Sequence, residues 1–127
     1  MLKKNREDRD VAYLLDLCGA TKESKNPKIE CMVKEKKGSQ VIGVCGVIKR
    51  HGFIPAMFLA VKPKQQGKGI GKKLTKALLK KYSGPLFLTV SLSNKKAYSI
   101  YKKNGFIKIF PWRTIGNTKD IWVMVRI

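Results

Sequence analysis

Apolar positions along the chain switch between two periods, and each switch marks an element. Residues 5 to 18 (NREDRDVAYLLDLC) put Val11, Leu14, Leu15 and Cys18 on one helical face. Acids crowd the first turn, where they complement the helix dipole, and Gly19 is placed to cap the end. KIECMVKE, 28 to 35, alternates as a strand with Ile29, Cys31 and Val33 on one face, and EKKGSQ reads as a hairpin turn. VIGVCGVI, 41 to 48, is a continuous apolar run that reads as a central strand, a signal its two glycines weaken without removing. After a turn at KRHG, FIPAMFLAV reads as a buried strand with Pro55 near its start, where a missing N–H matters least.

From Ile70 the period becomes helical. Ile70, Leu74, Ala77 and Leu78 share one side, and Lys72, Lys76 and Lys80 line another. SGP ends that helix and LFLTV is a short strand. NKKAYSIYKKNG follows, with Asn94 at the N-cap, Ala97, Ile100, Tyr101 and Asn104 at helical spacing, and Gly105 as a cap. FIKIF and DIWVMVRI are the last two strands, joined by the loop PWRTIGNTK. The predicted order is helix, three antiparallel strands, helix, strand, helix, two strands. A crossover helix between the third and fourth strands makes those two parallel. The fold class is therefore α/β, with a mixed, mostly antiparallel central sheet, in a single domain spanning 1–127.

Length and composition agree with one ordinary core: 127 residues, 43% apolar. No apolar run approaches the roughly 20 residues of a membrane span. The charged start MLKKNREDRDVAYLL does not read as a signal peptide, and three cysteines without CxxC spacing read as reduced thiols; both point to the cytoplasm. Charge changes the picture more. Lys and Arg total 28 against 8 acids, a formal net charge of +20. Between Lys36 and Lys119 there is no Asp or Glu at all. Such a surface repels cations and attracts polyanions, among them nucleic acid, ribonucleoprotein and phosphorylated cofactors.

The candidate chemistry lies in QQGKGIGKKL, Gln65 to Leu74, where an apolar strand ends and a helix begins. The first N–H groups of a helix lack intrahelical partners and favour an anion, which glycines allow to come close to the main chain. Lys68 and Lys72 add charge there. Neither standard nucleotide fingerprint is met: Gly67, Gly69 and Gly71 have the wrong spacing for the Walker loop, and the dinucleotide pattern fails too.

VKPKQQGKGIGKKL resembles the acyl-CoA loop of the GNAT superfamily of N-acetyltransferases, [RQ]-x-x-G-x-[GA] after a strand ending V-x-P, through Val61, Pro63, Gln66, Gly69 and Gly71. NKKAYSIYKKNGF is similar to the family's later helix, N-x-x-A-x-x-[IL]-Y-x-x-x-G-F, through Asn94, Ala97, Ile100, Tyr101, Gly105 and Phe106. The resemblance covers about residues 29 to 127. It implies a GNAT fold whose parallel pair splays apart, and acetyl-CoA as cofactor. Backbone amides from Gln66 through Lys72 (Gln66, Gly67, Lys68, Gly69, Ile70, Gly71, Lys72) would hold the CoA pyrophosphate. The main chain of Leu59, Ala60 and Val61 would bond the pantetheine arm, and Asn94 would touch the cofactor. Tyr101 would be the general acid to the departing thiolate, as a phenol with a reference pKa of about 10 can be.

Two departures bear on mechanism. The family usually begins with a strand before its first helix, whereas this sequence starts at or near a helix, in the part that commonly shapes the acceptor pocket. Many members also carry a Glu on the strand before the loop to remove the amine proton, and GFIPAMFLAV has no carboxylate. Alternatives are His51, a water held by Ser91 and Ser93, Glu30 or Asp120 from neighbouring strands, or an acceptor already neutral, such as an N-terminal amine or a nucleobase. Cys45 reads as core packing rather than a nucleophile. The surplus of positive charge suggests an amine on or near a polyanion: a ribonucleoprotein, RNA or DNA. The rival reading is a nucleic-acid-binding module on the same scaffold without catalysis. The C-terminal strand leaves both a monomer and a homodimer open.

Overall fold

The computed structural model describes residues 6–17, 28–49, 54–111 and 120–127. In chain order the elements are α1 (Arg6–Leu17), β1 (Lys28–Lys37), β2 (Gln40–Lys49), β3 (Ala56–Val61), a 3-10 turn (Pro63–Gln65), α2 (Ile70–Lys81), β4 (Leu86–Ser91), α3 (Lys95–Lys103), β5 (Ile107–Pro111) and β6 (Ile121–Arg126). Six strands make one sheet in the order β1-β2-β3-β4-β6-β5, with β3 and β4 parallel as the crossover required. No helix among the described residues is long and apolar enough to cross a membrane.

Some boundaries differ from expectation, each for a local reason. β1 runs to Lys37 and pairs it with Gln40, so the hairpin closes through Gly38 and Ser39 alone. Gly38 takes φ +62°, the left-handed backbone that two-residue hairpins favour. The C-terminal strand is interior: β6 lies between β4 and β5, which leaves β5 at the edge. Pro111, expected in the loop, ends β5, and an edge strand tolerates it because no ladder N–H is lost. The expected Cys18–Gly19 helix end, the turn at KRHG and the body of the PWRTIGNTK loop lie outside the described residues.

Both faces of the sheet carry a core. On one, Cys45, Val47 and Met57 pack with Leu74 and Leu78 of α2, with Leu86, Leu88 and Val90 of β4, and with Tyr101 of α3. On the other, Leu14 and Leu15 of α1 pack with Val41, Val44, Ile48, Phe58 and Ala60. Helices on both sides bury β2 from Val41 through Ile48, which is why its sequence reads apolar without alternation. Its glycines, which weaken the strand signal, are what let the layers close. A Cβ on Gly43 would stand 2.9 Å from Leu74 Cδ1, and one on Gly46 would stand 2.5 Å from the Phe58 ring and 2.6 Å from the Cys31 carbonyl.

Ion pairs hold α1 to the sheet. Asp10 accepts from the Val41 amide at 3.0 Å and from Lys62 Nζ at 2.9 Å. Glu7 takes Lys34 and Lys36, each at 2.9 Å, and these ammonium groups, Lys36 first, hold its carboxyl below the usual range. On the opposite face Lys73 of α2 reaches Glu35 of β1 at 3.0 Å.

Gly46→Ala is expected to destabilise the fold by about 2 kcal/mol in denaturant unfolding, because a methyl there has nowhere to go. Adding Phe58→Leu should recover part of the loss, since the ring is one of the two obstructions. A Gly46→Ala protein as stable as the parent would contradict this packing.

Candidate active site

The parallel strands are paired as a ladder at one point only. Ala56 and Phe87 are their single pair of partners, held by the Phe87 amide donating to the Pro55 carbonyl at 3.1 Å. Beyond it β3 stays registered with β2 as far as Val61, and β4 stays registered with β6 as far as Ser91. The facing edges diverge, and backbone groups that a closed ladder would consume are left for another partner. Leu59 and Val61 line the resulting cleft of about 600 Å³.

The glycine run forms the cleft's rim. After the 3-10 turn the Gln66 side chain donates back to the Val61 carbonyl at 3.1 Å, and Lys68 Nζ donates to Gln65 Oε1 at 3.1 Å. Gly67 and Gly69 both take φ +82°. A Cβ on Gly69 would meet nothing within 4 Å, so the backbone angle and not space calls for glycine there. Gly69 caps α2 without a side chain, and the first bond of the helix runs from the Lys73 amide to the Gly69 carbonyl at 3.1 Å. Helix geometry therefore leaves the amides of Ile70, Gly71 and Lys72 without an intrahelical acceptor, at the positive end of the dipole.

The opposite wall is α3. Asn94 caps it, accepting from the Ala97 amide at 3.2 Å through Oδ1, so what it can offer a ligand is its NH2 donors. The far end is a Schellman motif: the Gly105 amide bonds Lys102 O at 3.2 Å and the Phe106 amide bonds Tyr101 O at 3.0 Å. Gly105 sits at φ +92°, and the Phe106 ring meets the Tyr101 ring edge-on at 5.8 Å. The spacing of tyrosine, glycine and phenylalanine in the sequence is thus a helix stop that fixes the tyrosine against the cleft wall.

Of the expected site residues, Tyr101, Asn94, Leu59, Val61, Gln66, Gly67, Gly69, Ile70, Gly71 and Lys72 all line the cleft. Ala60 and Lys68, whose expected roles are main-chain ones, do not line it with their side chains: the Ala60 side chain belongs to the α1-side core, and Lys68 Nζ is drawn to Gln65. The sequence reading missed Gln65, Lys95, Lys96, Ala97, Ser99 and Ile100 as cleft residues. Helical period could have found Ala97 and Ile100, which share a face with Tyr101; Lys95 and Lys96 fill positions the motif leaves open.

The candidates for removing a proton disperse. Cys45 is fully buried in the core. Glu30 is exposed near the start of β1, at the end of the sheet away from Val61, where burial first and the Glu30 charge second push the Cys31 and Tyr82 pKa values up. His51 lies outside the described residues. Ser91, Ser93 and Asp120 do come together just past β4: Ser91 Oγ donates to Asp120 Oδ2, the two hydroxyls lie 2.7 Å apart, and the Leu92 amide donates to the Asp120 carbonyl at 2.9 Å. These bonds, from Ser91 first and then Ser93, hold the Asp120 carboxyl below the usual aspartate range. The cleft-lining residues themselves include no carboxylate. Among the described residues no His, Cys, Asp and Glu cluster could hold a metal.

A splayed parallel pair, with a glycine loop opening a helix on one wall and a capped tyrosine helix on the other, defines an α/β acyltransferase fold. The chain belongs to the GNAT acetyltransferase family, whose model, an acetyltransferase (GNAT) domain, matches residues 27–108. The family's cofactor is acetyl-CoA. Solved structures share the fold: yncA of Salmonella typhimurium, determined with its cofactor acetyl-CoA, is 19% identical over 74% of this chain and 62% of that one, TM-score 0.64. An IAA acetyltransferase from Bacillus cereus is 25% identical over 75% of each chain, TM-score 0.59. A ribosomal-protein-alanine N-acetyltransferase from Brucella melitensis is 15% identical over 95% of this chain and 78% of that one, TM-score 0.67. The chain thus spans less than two thirds of yncA. Among curated proteins, none matches it in sequence.

The serine contacts give Asp120 a signature. A carboxyl held low stabilises the folded state above its unfolded pKa, and that contribution is lost as pH falls through the lowered value. Ser91→Ala should raise the Asp120 pKa towards its ordinary value near 3.8, read by carboxyl-carbon NMR. An unmoved titration would mean the hydroxyls do not hold it.

Proposed function

We propose that this protein is an acetyl-CoA-dependent N-acetyltransferase acting on an amine carried on or near a polyanion. The observation that carries the reading is the convergence of the glycine loop, the unpaired edge of β3, Asn94 and Tyr101 on one cleft. The loop amides of Ile70, Gly71 and Lys72 suit a pyrophosphate, and the β3 edge suits the amide-bearing pantetheine arm. The cofactor supplies an acyl thioester when bound. Tyr101 then gives its hydroxyl proton to the leaving sulfur as the carbon–sulfur bond breaks and the carbon–nitrogen bond forms. The proton lost by the amine restores the phenol through solvent, so the step balances. With no carboxylate on the cleft wall, the amine enters uncharged, which an N-terminal amine (pKa about 8) or a nucleobase satisfies at neutral pH. Catalysis then rests mainly on holding amine and thioester together.

The polyanion half rests on charge. α2 carries five exposed lysines (Lys72, Lys73, Lys76, Lys80, Lys81) and α3 four (Lys95, Lys96, Lys102, Lys103), with no acid on either helix. The acids Glu7, Asp8, Asp10 and Asp16 sit on α1, across the sheet. One cofactor does not require such a layer. An alanine amine of a ribosomal protein, the acceptor named for the Brucella enzyme, is of the fitting kind. The lack of a cleft carboxylate also favours a second reading, a polyanion-binding module without transfer.

Calorimetry should show acetyl-CoA binding that Gly69→Glu or Gly71→Glu abolishes, because each puts a like charge where the anion sits. Tyr101→Phe should retain binding and lower thioester turnover by about a hundredfold. Turnover unchanged by Tyr101→Phe would remove the acid role, and binding without any turnover would favour the second reading. On heparin the protein should be retained until high salt; free passage at low salt would sink the polyanion half.

A further inference from the structure

The motif that opens α3 leaves its second and third positions unspecified, and here both are lysine. Lys95 and Lys96 line the cleft with Lys72. A Cβ on Gly67 would lie 3.7 Å from Lys96 Nζ, so this ammonium lies over the tip of the glycine loop from the opposite wall. Several other lysines around this end of the sheet are engaged: Lys34 and Lys36 with Glu7, Lys62 with Asp10, Lys73 with Glu35, Lys68 with Gln65. Lys72, Lys95 and Lys96 pair with no described residue. The positions also oppose local helix energetics, since cations in a first turn face the positive end of the dipole.

A pyrophosphate at the loop does not account for this second wall of charge. Acetyl-CoA carries another anion, the 3′-phosphate, a monoester of charge about −1.5 to −2 near neutral pH. The ribose bearing it is bonded directly to the pyrophosphate, so it falls within one sugar of the loop. We infer that Lys95 and Lys96 form a subsite for the 3′-phosphate and make the protein select CoA thioesters over their 3′-dephospho forms. This rests on acetyl-CoA being the ligand of the cleft. The loop reads the diphosphate common to many nucleotides, and the two lysines read the group that marks coenzyme A among them.

The test is calorimetric titration of the full chain with acetyl-CoA and with 3′-dephospho-acetyl-CoA, for the parent and for Lys95→Ala/Lys96→Ala. The parent should bind acetyl-CoA about tenfold more tightly, as expected for a phosphate held by two exposed ammonium groups. In the double variant that gap should close, with affinity for the dephospho form nearly unchanged. The parent's gap should also shrink as salt is raised. Equal binding of both ligands by the parent, or a gap that survives in the variant, overturns the inference. So does equal weakening of both ligands in the variant, which would assign the lysines to the pyrophosphate. Binding of neither ligand by the parent would instead fail the cofactor reading, and this inference with it. The substitutions remove exposed charge from an unfavourable dipole end, so thermal unfolding should hold or rise and misfolding would be visible separately.

Discussion

A single ladder pair between β3 and β4 governs the rest of the molecule. The sheet is two antiparallel halves, β1-β2-β3 and β4-β6-β5, joined through Ala56 and Phe87. The strands that face each other are registered with their outer neighbours, β3 with β2 and β4 with β6. Had the parallel ladder continued, the Leu59 and Val61 main chain would be spent on β4 and no cleft would open. The halves can diverge because each has its own clamp: α1 and α2 sandwich β2 and β3, and α3 lies over β4. The price of divergence is met locally, where the Gln66 side chain satisfies the Val61 carbonyl at the mouth.

Much of this was legible in the chain, because the strongest signals were periodic or conformational. The helical faces of α2 and α3 follow from Leu74, Leu78 and Tyr101 at regular spacing, and the caps follow from Asn94 and Gly105. The loop was legible because its place between strand and helix, together with the later NKKAYSIYKKNGF stretch, resembles the family pattern; the glycines alone left it an ambiguous turn. What stayed hidden depended on pairs distant in sequence. Gly43 and Gly46 looked like weak strand residues until Leu74 and Phe58 stood over them. Asp10 looked like a surface acid of the first helix, yet it bonds the Val41 amide and Lys62 across the contact between α1 and the sheet. Ser91 and Asp120 were separate candidates, and only β4–β6 registration joined them.

Charge is distributed by layer. Glu7, Asp10 and Glu35, acids of α1 and β1, bind lysines of β1, α2 or the segment after β3, so they serve the tertiary structure. The lysines of α2 and α3 are almost all outside this economy. Their mutual repulsion opposes a compact fold, and any anion seated on that layer relieves it. Ligand binding and fold stability are coupled here through electrostatics, beyond the contacts a ligand makes itself.

The helix stop after Tyr101 has a wider meaning. Gly105 and Phe106 are not cleft residues, yet the aromatic ring on the cleft wall owes its position to a left-handed glycine and a ring set edge-on behind it. The functional footprint on the chain is therefore larger than its contact footprint. A survey scored by activity alone would rank this turn beside the tyrosine. A survey scored by ligand proximity alone would pass it over, and the two would disagree for a reason that lies in backbone geometry.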